Sequence, residues 1–176
     1  YAVNRVGSNQ QILVPSIKRQ LTDPEWRIQE ADVLTTWADE KDEILVSATE
    51  YGVDSAERAP ELPVVYKLNV VSGKRRLIAS NPGKVRSWMA DRAGALRIGI
   101  AVDKSHVTIL YRDGSADKWT SLTSFGLRDE SWYPVSFGYD NRTLYVTSNI
   151  GRDYAALYTY DLEQRSLADL VFAPDQ

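Results

Sequence analysis

The chain has 176 residues, 43% of them apolar and 26% charged, an ordinary balance for a globular domain that gives disorder no support. Its formal net charge of −3 argues against a protein that tracks a phosphate backbone, which would carry a strongly basic face, so nucleic acid is not an expected partner. With no cysteine, structural disulfides and cysteine–zinc sites are excluded, and no run approaches the ~18 apolar residues of a membrane-spanning helix.

Taken in order, residues 1–14 read as a hairpin: Tyr1 opens an alternating strand, Gly7-Ser8 supplies a turn, and Gln11-Ile-Leu-Val14 returns. Because Tyr1 already lies in a strand pattern, the sequence reads as a portion of something longer. Residues 15–33 are a polar connection with Pro15 and Pro24, in which Pro24 to Ala31 has a second reading as a short helix capped by Asp23.

The clearest hairpin is 64–79, VVYKLNVVSGKRRLIA, two alternating runs about the turn residues Ser72-Gly73. Its layout recurs around Tyr111 and Tyr158, and earlier at Tyr1, so that Tyr1, Tyr66, Tyr111 and Tyr158 share one register. The copy at Tyr158 has Leu162-Glu-Gln-Arg165 where the others place glycine, which predicts a longer turn or one of another type.

A second hairpin alternates with the first. Trp37, Trp88 and Phe137 are each followed two or three residues later by an aspartate (Asp39, Asp91, Asp140), then by a polar turn and an apolar strand. These aromatics lie 51 and 49 residues apart, and the last three tyrosines 45 and 47. A period of about 40–50 residues with four strands per repeat predicts an all-β chain of four-stranded antiparallel β-propeller blades. The expected boundaries are a half blade at 1–14 and full blades at about 34–79, 85–122 and 135–172, with 124–134 as a link. An arc of blades would leave apolar faces bare at its ends, so self-association or closure into a small ring is expected.

No G-x-S-x-G nucleophile elbow and no phosphate-binding G-x-x-x-x-G-K-S/T loop occurs. The lone histidine, His106, sits at a strand edge and lacks the partner ligands of a histidine metal site, so neither metal nor cofactor is expected. Lys74-Arg75-Arg76 reads as the solvated exit of a turn, and Asp39, Asp42, Glu43, Asp91 and Asp140 as carboxylates that bind turn amides. Asn141-Arg-Thr143 matches a glycosylation sequon but falls where the repeat demands a turn.

Function in repeat proteins sits in the loops that the repeat does not dictate. Loops 49–63, 103–106 and 149–154 are expected on one rim. The candidates for binding a substrate or partner are Glu57 and Arg58 in the acidic loop 49–63, Arg152 and Asp153 in the third loop, and the linker aromatics Trp132 and Tyr133. A guanidinium beside a carboxylate at 152–153 suits either anchoring a peptide carboxylate or locking two blades together.

The segments Val65 to Gly73, Trp88 to Gly94 and Ser148 to Tyr158 resemble the N-terminal propeller of bacterial prolyl-oligopeptidase-type serine peptidases, a group that includes dipeptidyl and acylaminoacyl peptidases. The resemblance runs through nearly the whole chain and implies a propeller stacked on an α/β-hydrolase domain, filtering or positioning peptides in the bacterial cytoplasm or periplasm. The serine, aspartate and histidine of such peptidases lie on that second domain, and nothing in 1–176 matches it. The expected partners are therefore that hydrolase domain, further blades and a peptide substrate. The alternative is a free-standing module resembling the propeller of TolB-like proteins, which would recruit a protein partner.

Overall fold

The computed structural model describes residues 28–37, 40–50, 62–114 and 118–174. The predicted half blade 1–14, Asp39, Glu57 and Arg58 lie outside them. The described residues form twelve strands and no helix.

The strands fall into three four-stranded antiparallel sheets, in each of which strands neighbour one another in chain order. The first holds β1 (Ile28–Thr36), β2 (Glu43–Glu50), β3 (Val64–Asn69) and β4 (Arg75–Ala79). The second holds β5 (Val85–Ala90), β6 (Leu96–Asp103), β7 (His106–Tyr111) and β8 (Thr120–Gly126). The third holds β9 (Trp132–Phe137), β10 (Thr143–Ser148), β11 (Ala156–Asp161) and β12 (Ser166–Phe172). Three such repeated meanders are the blades of a β-propeller. The tyrosine register holds for two of the three blades: Tyr66 faces Val46 and Tyr158 faces Val146, each the fourth residue of the second strand, whereas Tyr111 is the last residue of β7 and faces Ile98, the third residue of β6.

Three boundaries differ from the sequence expectation. The first blade opens at Ile28 instead of about residue 34, so Ile28 to Ala31 belongs to a strand and not to a connection or helix. Glu30-Ala-Asp-Val33 carries little apolar signal, and β1 is held instead by backbone pairing along β2, from Ile28 opposite Glu50 to Thr36 opposite Ile44. The third blade opens at Trp132, inside the expected link, even though Pro134 is within the strand. β9 is the edge strand of its sheet, and an edge admits a proline because its missing donor breaks no inner ladder. Third, the turn at 162–165 is no longer than its counterpart at 70–73. Leu68 pairs with Arg75 and Tyr160 with Leu167, an equal span. Arg165, at φ 54°, stands where Gly73 stands at φ 71°.

The chain divides into two compact units, Tyr1–Arg86 and Ser87–Gln176. In the first, Val46, Ala48, Tyr66 and Leu68 form a small core onto which Ala31, Ile44, Val64 and Val70 pack. Asn81 fixes the exit loop by donating to the carbonyls of Pro63 (2.8 Å) and Val85 (2.9 Å). The second unit has the larger core, in which Ile98, Val107, Ile109 and Phe125 of one blade meet Trp132, Phe137, Leu144, Val146 and Tyr160 of the next. Burial of a side chain of this size contributes roughly 1.5–3 kcal/mol, so this blade-to-blade contact is the main stabilising surface described for the unit.

Candidate functional site

A meander sends its first and third turns to one end and its second to the other. In the second unit the turns after β5, β9 and β11 accordingly share an end with the close of β7, and the cleft there has a volume of about 740 Å³. Its lining includes Arg97, Tyr111, Asp113, Asp140, Asn141, Arg142, Asp161, Glu163 and Asp169.

Arg97 organises it. It follows Leu96 in the otherwise apolar run Leu96 to Val102 of β6 and is only 8% exposed, a position where a charge is stable only if its hydrogen bonds and counter-charge are supplied. One terminal nitrogen donates to the carbonyl of Asn141 at 2.7 Å and lies 3.5 Å from Asp91 Oδ2. The other donates to the Tyr111 hydroxyl and, at 3.1 Å, to Asp113 Oδ1. The guanidinium carbon is 5.2 Å from the ring centres of both Tyr111 and Phe137, within cation–π reach. Its Nε is buried and has no hydrogen-bond partner among the described residues.

Arg92 makes a second crossing from the middle blade to the last. Its Nε donates to the Phe137 carbonyl at 3.1 Å, its backbone N–H to Asn141 Oδ1 at 2.8 Å, and its guanidinium lies 4.7 Å from the ring centre of the exposed Tyr139. Asn141, the sequon residue, is therefore a turn residue at φ 55° whose side-chain oxygen joins two blades.

Of the carboxylates assigned to turns from sequence, Asp91 and Asp140 bind turn amides, whereas Glu43 accepts from the Asn69 side-chain amide at 2.9 Å. Asp91 Oδ1 accepts from the amides of Ala93 and Ala95, and Asp161 Oδ1 from those of Glu163 and Gln164. Asp140 accepts from the Thr143 hydroxyl at 2.7 Å and from the amides of Arg142 and Thr143, and these bonds, the hydroxyl foremost, hold its carboxyl down at about 2 from an ordinary 3.8. Burial pushes the Tyr160 phenol up from 10.0. Asp140 thus serves as an acceptor for its own turn, and the Tyr160 ring packs in the core. Among the described residues no three histidine, aspartate or glutamate side chains gather as a metal would need.

None of the four described residues proposed from sequence, Trp132, Tyr133, Arg152 and Asp153, lines this cleft. Trp132 is 4% exposed, with its ring 4.4 Å from that of Tyr160, so it is core. Tyr133 is 37% exposed and meets Phe125 edge-on at 5.2 Å. Arg152 and Asp153 occupy the turn between β10 and β11, at the other end of the sheet, where the Arg152 amide donates to the Asn149 carbonyl at 3.0 Å. Their side chains form no ion pair with each other or with another described residue. The blade-crossing role considered for Arg152 is carried in this unit by Arg97 and Arg92. The signal that could have found Arg97 was one arginine inside the apolar run Leu96-Arg-Ile-Gly-Ile-Ala-Val102, since a buried charge demands partners.

No family model matches the sequence. Over 99 residues the chain is 26% identical to dipeptidyl aminopeptidase BIII of Pseudoxanthomonas mexicana, a match covering 56% of this chain and 14% of that protein. The chain thus spans a small part of the curated relative it matches. A crystal structure of TolB from Acinetobacter baumannii aligns with a TM-score of 0.49 and 19% identity, covering 77% of this chain and 31% of that one. The protein is a β-propeller portion with a distant sequence likeness to a dipeptidyl aminopeptidase.

Proposed function

We propose that this chain is the non-catalytic propeller portion of a prolyl-oligopeptidase-type serine peptidase, gating or positioning peptides for a hydrolase domain. The observation that carries the reading is the 26% identity over 99 residues with a dipeptidyl aminopeptidase. The blade architecture agrees with it, and the described polar groups serve as turn caps and blade ties and not as a nucleophile with its base.

The test begins with the gene on either side of these residues. A G-x-S-x-G motif followed by aspartate and histidine is expected downstream, and the full product should release chromophore from a dipeptide amide while residues 1–176 alone do not. The full product should also prefer short peptides to a long folded polypeptide, and deletion of the blades should abolish that preference. Turnover by 1–176 that a serine-reactive reagent abolishes would overturn the non-catalytic assignment. A stop codon soon after Gln176 would overturn the peptidase reading and favour a TolB-like protein-binding module.

A further inference from the structure

We draw no further inference here: the strongest candidate, the acidic cleft between the two blades of the second unit, lined by Asp113, Asp140, Asp161, Glu163 and Asp169 around Arg97, is a carboxylate cluster whose buried guanidinium is engaged by Tyr111, Asp113 and Asn141, and nothing in the structure shows what ligand it would hold.

Discussion

At the scale of single residues, Arg97 separates interactions that matter by burial. Its contacts with Asp91, 5% exposed, and with the Asn141 carbonyl are shielded from water, whereas the Asp113 side chain is 82% exposed. Replacing Arg97 by Met would leave a buried carboxylate without its counter-charge, a change that costs about 3–5 kcal/mol. Replacing Asp113 by Asn removes an ion pair that solvent already screens and should cost no more than about 1 kcal/mol. Urea unfolding of the two variants measures the contrast; equal losses would show that the exposed pair, not the buried one, holds the arginine.

Asp140 makes a pH prediction. Its folded pKa lies below its ordinary value, so its contribution to stability is present above 3.8 and is lost as pH falls through about 2. The Asp140→Asn variant lacks the negative charge at every pH. Its melting temperature should therefore sit below that of the parent at pH 4 and above, and the difference should close as pH falls from 3.8 to about 2. A difference that stayed constant through that window would mean that the Thr143, Arg142 and Thr143 bonds do not discriminate between the charged and neutral carboxyl.

At the scale of elements, the third hairpin turn shows how a repeat persists after its sequence signal is lost. Turn length and strand pairing at 162–165 match those at 70–73, but an arginine occupies the left-handed position at φ 54°. A side chain there costs roughly 1–2 kcal/mol, of which glycine's greater freedom in the unfolded chain takes back about 0.5–1. Arg165→Gly is thus expected to stabilise by up to about 1 kcal/mol, raising the melting temperature by roughly 2–4 °C. A fall in melting temperature would show that the Arg165 side chain contributes more than its backbone strain costs.

The elements also show which signals the sequence carried. Alternation about Ser72-Gly73 marked β3 and β4, and the recurrent aromatic and aspartate marked the close of each first strand. The expected link 124–134 overlaps β9, which begins at Trp132; Pro134 is admitted there because β9 is an edge strand, a fact that only the pairing order reveals. Trp132 looked free because it breaks the repeat, and it is buried because Tyr160 of β11 lies 4.4 Å away.

At the scale of the whole molecule, the last sheet ends in β12, an edge strand on which Leu170, Val171 and Phe172 are 50%, 48% and 64% exposed. Among the described residues no strand pairs with the outer edge of β12; an edge flanked by three apolar side chains favours association between chains, and a lysine on such an edge opposes it. The chain is expected to sediment as associated species at high concentration, and Leu170→Lys to shift it towards monomer. An unchanged distribution would place any association elsewhere on the molecule.

The sequence by itself determined the all-β class and the four-strand repeat, because strand alternation, turn residues and period are local properties that survive divergence of everything else; the tyrosine register it suggested holds for Tyr66 and Tyr158 but not for Tyr111. It also carried the role of Asp91 and Asp140, since an aspartate at a turn finds its amides within a few residues. Only the tertiary structure decided that turns from two blades meet in an acidic cleft, that Arg97 lies buried at its side, and that Arg152 and Asp153 stand at the opposite end of the sheet. Those facts depend on groups more than forty residues apart, such as Arg97 and the Asn141 carbonyl. A buried arginine selects such partners by the charge and hydrogen bonds it must satisfy, and no spacing in the sequence records that choice.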